Sequence, residues 1–460
     1  VNTHLTRRDL IRLGLAAGAS LPLGIRTALG EEPPKAPSAP DYLDAAVRAA
    51  RWIHTARVET ADGILWLTGP ERPEGFDTVP NLYTGGAGVV LFLLELARAT
   101  GDKTHREEAA AGADALIAGL PQAIRIDRAE NGLYTGVAGI GFTLFRAYQE
   151  TGNDAYRQGA LRCRDLIHAA AQSVGSGIQW GEVTDIIAGS AGTGLYLLDR
   201  ARTSNDPASR ELAVKAGLRL IELGISEGGG RKWRMDPSFN RLMPNFSHGT
   251  AGVAYFLATL HRETGRQEFL DAARAGARYL QSVADTTGDS CLIFHDEPDN
   301  KNLYYLGWCH GPVGTSRLFV QLDRIEPKAG WLAWARKGAK GILASGIPEK
   351  QTPGFWNNLG QCCGSAGVAE FFLDLGKLTG DATYPAFTRR VVRNLLDRAT
   401  ATPGGGLKWV HAEHRVHPEY TYAQTGYMQG AAGIGMLLLR MDAEEKGREW
   451  RFRLPDSPFA

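Results

Sequence analysis

The chain has 460 residues, of which 43% are hydrophobic and 22% charged, a composition that excludes a disordered, collagen-like or membrane-spanning protein. Lys plus Arg number 51 and Asp plus Glu 50, for a formal charge of +1, so no basic surface for nucleic acid or an anionic membrane is expected. Five cysteines are too few for a disulfide scaffold; the residue in excess is glycine, at 56, where ordinary usage of about 7% would supply about 32.

In chain order, residues 1–30 read as an address. Thr6-Arg7-Arg8-Asp9-Leu10-Ile11-Arg12 precedes a mostly apolar run from Leu13 to Leu23, and Ala28-Leu29-Gly30 ends it with small residues. That order is a secretory signal, and the paired arginines resemble a twin-arginine signal. Export to the periplasm or the outside is therefore expected. No membrane anchor is expected, because the run is too short and too rich in Gly and Ala to span a bilayer. Residues 31–40 carry Pro33, Pro34, Pro37 and Pro40 and read as an extended linker. Residues 41–460 are expected to be one domain.

A Gly-x-(Ala/Val)-Gly tetrapeptide then recurs seven times, beginning at Gly85, Gly136, Gly189, Gly249, Gly311, Gly364 and Gly430. After most copies the chain is apolar on nearly every side, as in Val89 to Leu96, the mark of a buried helix. Several such runs end in Thr-Gly (Thr100-Gly101, Thr151-Gly152, Thr264-Gly265, Thr379-Gly380), a helix C-terminal signal. Between the copies lie one-sided helical runs: Asp41 to Val58, Asp154 to Ala171, Ser209 to Leu223, Glu268 to Val283 and Tyr384 to Arg398. Buried helices need neighbours all round and one-sided helices need one. The pattern predicts an all-α, closed (α/α)7 toroid with seven inner and seven outer helices. Several connecting loops carry Gly-x-x-Trp, ending at Trp66, Trp180, Trp233 and Trp409, and predict short strands or packed turns on one rim.

In such a ring all seven inner-helix N-termini converge on one rim, so residues just before each tetrapeptide share a mouth. They are Thr84, Thr135, Asp185 with Ala188, His248, Cys309 with His310, Cys363 and Gln429. Cys309 belongs to copy five, and Cys362-Cys363 to copy six. Spacing alone leaves two readings of these thiols open: three thiolates on a Zn²⁺ with a vacant fourth position, or a disulfide in an exported protein. Cys163 and Cys291 fall outside the pattern and read as buried small hydrophobes. His411, His414 and His417 form a weaker metal candidate, since Gly404-Gly405-Gly406 and Pro418 flank them and favour a loop.

Taken together, the tetrapeptides, Asp185-Ile186-Ile187-Ala188-Gly189, Ser247-His248-Gly249, Trp308-Cys309-His310-Gly311 and Cys362-Cys363-Gly364 resemble the lanthionine synthetase C-like family over about Ala45 to Asp442. The resemblance implies a toroid with zinc at its mouth, on Cys309, Cys362 and Cys363, the last standing where the family more often has histidine. It implies addition of a thiol to dehydroalanine or dehydrobutyrine, giving a thioether, on a peptide or with a small thiol. His248 matches the family's catalytic His-Gly position, Asp185 the acidic residue beside it, and His310, next to the first zinc cysteine, is a third catalytic candidate. Tyr305 stands where cyclases of the family often carry arginine. Three sulfur ligands put more negative charge on the metal than two, which leaves a bound substrate thiolate more nucleophilic. The contrasting expectation is a zinc-free toroid acting on or binding carbohydrate, with Glu182 and Asp185, or Asp296 and Glu297, as its paired carboxylates.

Overall fold

The computed structural model describes residues 40–72 and 77–459. The expected signal at 1–30, and the proline-rich stretch apart from Pro40, lie outside the described residues. Asp41–Ala460 form one compact unit.

Among the described residues fourteen α-helices follow one another: α1 (Tyr42–Thr55), α2 (Gly86–Thr100), α3 (Lys103–Ala118), α4 (Val137–Thr151), α5 (Asp154–Ala169), α6 (Ser190–Ser204), α7 (Pro207–Leu223), α8 (Thr250–Thr264), α9 (Gln267–Val283), α10 (Pro312–Ile325), α11 (Trp331–Ala344), α12 (Ser365–Thr379), α13 (Thr383–Asp397) and α14 (Ala431–Glu445). The even-numbered helices begin inside the tetrapeptides and form the inner ring, each neighbouring the next, with α14 returning to α2. The odd-numbered helices form the outer ring, and α1 packs on α14. The all-α toroid expected from the repeats is therefore the fold observed.

Burial follows the sequence pattern. Every residue of α8 from Thr250 to Leu260 is buried, whereas α9 buries one stripe that includes Phe269, Ala273, Ala277 and Leu280. The inner helices α2, α4, α8 and α12 stop at Gly101, Gly152, Gly265 and Gly380, all left-handed with φ between 71° and 73°, where a side chain is disfavoured. Outer helices start on acceptors: Asp41, Asp102, Asn153 and Asp206 each accept from a first-turn amide.

Four of the loops hold antiparallel hairpins that end in the expected tryptophans: β1 (Arg57–Thr60) with β2 (Gly63–Trp66), β3 (Gln172–Val174) with β4 (Gly177–Gln179), β5 (Ile225–Glu227) with β6 (Gly230–Lys232), and β7 (Thr400–Ala401) with β8 (Leu407–Lys408). A fifth pair joins β9 (Val410–Ala412) to β10 (Thr421–Ala423). Trp180, Trp233 and Trp409 are buried and donate Nε1 to the carbonyls of Ile167, Leu220 and Leu395. They fasten each hairpin to the outer helix before it and serve packing. One boundary differs from expectation: α1 ends at Thr55, and Val58 belongs to β1, because Arg57 to Thr60 pair in register with Gly63 to Trp66.

The site rests on a feature the repeat creates. The residue two places before each tetrapeptide contributes its backbone to a closed circle of hydrogen bonds, except that at copy three Ile187 accepts while its neighbour Ile186 donates: Tyr83 N to Tyr134 O, Tyr134 N to Ile187 O, Ile186 N to Ser247 O, Ser247 N to Cys309 O, Cys309 N to Cys362 O, Cys362 N to Met428 O and Met428 N to Tyr83 O, all between 2.8 and 3.2 Å. Glycine permits the tight loops this needs. A Cβ at Gly314 would stand 1.9 Å from the carbonyl oxygen of Trp308, so the helix N-terminus folds directly onto the loop that carries Cys309. Below this floor the segment after α14 enters the bore and lines a cavity of about 260 Å³ with Tyr134 and Trp308. Asp456 is fully buried there, accepting from Tyr134 Oη at 3.0 Å and Trp308 Nε1 at 3.2 Å and pairing with Arg317 at 3.1 Å.

Candidate metal centre

Copies five and six meet on the rim. A Cβ at Gly307 would lie 2.8 Å from both the carbonyl oxygen of Cys362 and the Cα of Cys363, so glycine there lets the two cysteine loops touch. Trp308 N and Cys309 N both donate to the Cys362 carbonyl, at 2.7 and 3.2 Å. The result is three sulfurs in one cluster: Cys309 Sγ is 3.1 Å from Cys363 Sγ, Cys363 Sγ is 3.5 Å from Cys362 Sγ, and all three lie within 4.8 Å of one another.

All five cysteines are free thiols, so the disulfide reading does not hold. A disulfide requires about 2.05 Å between sulfurs, about an ångström less than the shortest separation here. A tetrahedral zinc with Zn–S of about 2.3 Å spaces its sulfurs about 3.8 Å apart, which a small opening of the cluster reaches. Among the described residues no other His, Cys, Asp or Glu joins the three thiols, a set that fills three of four tetrahedral positions.

The electrostatics prepare a thiolate. Burial raises the pKa of Cys362, but hydrogen bonds from Cys309, Cys363 and Tyr83 outweigh it and hold that thiol well below its ordinary value. Burial, and then the charge of Cys362, push the Tyr83 hydroxyl well up, so it stays a donor. Gln429 Nε2 donates to Tyr83 Oη at 3.1 Å and holds the phenol in place. Tyr83 was not singled out from sequence, although it occupies the same repeat position as Cys309 and Cys362. Cys163 and Cys291, away from the cluster, are buried, and burial pushes both up to about 12.

Beside the sulfurs stand three imidazoles. His248 Nδ1 is 2.6 Å from Asp185 Oδ2, while Asp185 Oδ1 accepts from the amides of Ala188 and Gly189, each at 2.8 Å. One carboxylate thus caps the start of copy three and orients a histidine of copy four. Burial disfavours charge on His248, yet the hydrogen bond and charge of Asp185 prevail and hold its pKa above the ordinary value. His310 lies 5.6 Å from His248, ring centre to ring centre. It is buried, its Nδ1 has no partner among the described residues, and burial, with His295 and His248 nearby, keeps it neutral. The His295 ring lies against it at 4.1 Å, tilted by 32°. Tyr305 packs on His295 and on Trp356, and accepts from Arg415 Nε at 3.3 Å.

The remaining candidates lie elsewhere or are otherwise engaged. His411 is buried on β9, 2.7 Å from the Gln429 carbonyl oxygen, and His417 is exposed beside Glu419. The three histidines of that stretch share no helix face. The carboxylates weighed for glycan chemistry do not face each other as free pairs: Glu182 is exposed, Asp185 serves His248, Asp296 serves His295, and Glu297 pairs with Lys232 and Lys301.

The lanthionine synthetase C-like family model matches residues 77–454. The chain belongs to that family. Among solved structures, this lanthionine synthetase C-like chain resembles nisin cyclase with a TM-score of 0.60, at 15% identity, over 86% of this chain and 92% of the other. It also resembles an inactive variant of an alpha-1,6-mannanase of Salegentibacter sp. HEL1_6, with a TM-score of 0.50 and 14% identity over 87% and 98% of the two chains. At these identities both likenesses are of fold alone. No curated protein matches the sequence. In the lanthionine synthetase C-like chain the sulfur cluster and the three imidazoles therefore occupy the N-terminal rim of a toroid of paired helices.

Proposed function

We propose that the protein is a zinc-dependent catalyst that adds a thiol to dehydroalanine or dehydrobutyrine to form a thioether, with a peptide or a small thiol as substrate. The observation that carries this is the cluster of Cys309, Cys362 and Cys363, with sulfurs 3.1 and 3.5 Å apart, next to the His248–Asp185 pair. Family membership agrees with it.

Cys309, Cys362 and Cys363 would hold the zinc, which when bound supplies a Lewis acid that makes a thiolate available at neutral pH. The protein's own groups do the rest. Of the three cysteines Cys363 is partly exposed, and His248 beside the cluster remains 29% exposed. Attack of sulfur on the β-carbon leaves an enolate that needs a proton at the α-carbon. With Nδ1 committed to Asp185, Nε2 of His248 is the atom that delivers it. His310, neutral and buried, packs against His248 and His295 and follows Cys309 in the chain. Tyr83 donates to Cys362 and stabilises the charge on that sulfur.

Delivery through the twin-arginine route belongs to the same reading and suits a protein that acquires its metal before export. The test is metal analysis of the purified protein together with thioether formation from a dehydroalanine peptide and added thiol. One zinc per chain and a product that disappears in Cys362→Ala are expected; equal activity in Cys362→Ala and wild type overturns the mechanism.

A further inference from the structure

A second histidine–carboxylate pair stands against His310, as His248 does, and thiol addition as described above gives it no task. His295 Nδ1 is 2.6 Å from Asp296 Oδ2, and the same oxygen accepts from Asn300 Nδ2 at 2.7 Å. A carboxylate only accepts, so Nδ1 carries the proton and Nε2 keeps its lone pair.

The pair is held from both flanks. Asn245, three residues before His248, donates Nδ2 to the carbonyl oxygen of Phe294 at 2.8 Å. Leu242 and Glu297 exchange two backbone hydrogen bonds of 3.0 Å. The loop that bears His248 therefore fixes the loop that bears His295. The His295 ring lies 4.1 Å from His310 and 4.5 Å from Tyr305, centre to centre, and Tyr305 is close enough to Cys363 and Cys309 for their charges to raise its own pKa, after burial. The His295 side chain is 19% exposed, so it is not sealed into the core.

We infer that His295, oriented by Asp296, is a second proton-transfer group of this mouth, taking the proton of the incoming thiol while His248 supplies the one that ends on carbon. The inference rests on the thiol-addition reading. The S–H bond breaks and its proton goes to His295 Nε2. The sulfur electron pair forms the C–S bond at the β-carbon, and the displaced π pair moves toward the carbonyl as an enolate. The Nε2–H bond of His248 breaks as the α-carbon takes its proton. The addition is redox-neutral; His295 then loses its proton to solvent and His248 regains one.

The two environments suit this division. At His248 the carboxylate outweighs burial and raises the pKa, whereas at His295 burial outweighs the carboxylate and lowers it. Two groups of one type pushed apart in this way serve as acid and base.

The test uses the full chain loaded with zinc, glutathione as the thiol and a dehydroalanine peptide. His295→Gln is expected to retain zinc, to lose about 10²- to 10⁴-fold in kcat with the peptide KM unchanged, and to recover part of the rate with added imidazole. Asp296→Asn is expected to show a smaller loss. Independently of turnover, the ¹⁵N resonance of His295 Nε2 is expected to move when glutathione is added, and that of Nδ1 to stay. A His295→Gln protein that turns over like wild type, or that loses its zinc, overturns the inference, as does an Nε2 resonance indifferent to glutathione. If wild type makes no thioether while Nε2 still responds to glutathione, proton acceptance by His295 is supported and the wider thiol-addition reading falls.

Discussion

The rim has two unlike halves built on one backbone. At copies four, five and six the two residues before the tetrapeptide are Ser247-His248, Cys309-His310 and Cys362-Cys363; at copies one, two, three and seven they are Tyr83-Thr84, Tyr134-Thr135, Ile187-Ala188 and Met428-Gln429. All seven pairs sit on the same circle of hydrogen bonds. The fold therefore supplies seven equivalent positions facing one mouth, and side chains alone decide which of them do chemistry. The quiet half still contributes: Tyr83 reaches across to Cys362, Gln429 holds Tyr83, and Asp185, just ahead of copy three, orients His248.

Substitutions test how sharp that division is. The largest effect is expected for Cys309→Ala, which removes one of three sulfurs: bound zinc falls below a tenth of an equivalent and thioether formation drops by more than about 10³-fold, as read by metal analysis and product assay. Next comes His248→Asn, with a kcat loss of about 10²- to 10⁴-fold and zinc retained. His248 works as the acid, so the wild-type rate should fall as pH rises through its pKa. That pKa lies above the ordinary histidine value, because Asp185 prevails over burial while Cys362 adds to the effect and neutral His310 faces it. In Asp185→Asn the falling limb should move to lower pH.

Tyr83→Phe, in the quiet half, is expected to weaken zinc binding about 10- to 100-fold, measured by competition with a chelator. Thr135→Ala, an exposed residue at the place equivalent to His248, should leave both rate and stability within about 0.5 kcal/mol of wild type. A large effect there would break the comparison.

The repeat made most of this legible in the sequence. Glycine register alone located the seven inner helices, and with them the rim positions of Cys309, Cys362, Cys363 and His248, because close backbone packing leaves a mark at fixed spacing. Tyr83 shares that register, yet a tyrosine beside bland flanks carries no sign of its thiolate partner 279 residues away. His295 and Asp296 lie in the loop between α9 and α10, outside any repeat. Their place depends on Asn245 and Leu242 of another loop, contacts that no local pattern encodes. Val58 was misjudged for a related reason: pairing with Leu65 across the hairpin prevailed over the helical run preceding it. The buried anchor Asp456 belongs to a segment that occurs once, so periodicity was silent about it.

One feature of the ring bears on how the protein is made. The circle of hydrogen bonds closes only when Met428 meets Tyr83, and the first outer helix, α1, finds its inner partner only when α14 arrives. A ribosome must therefore deliver nearly the whole chain before the circle can shut, and until then the apolar inner helices face water or a chaperone. A message cut short after copy six yields a chain that has all three clustered cysteines but no closed ring to hold them.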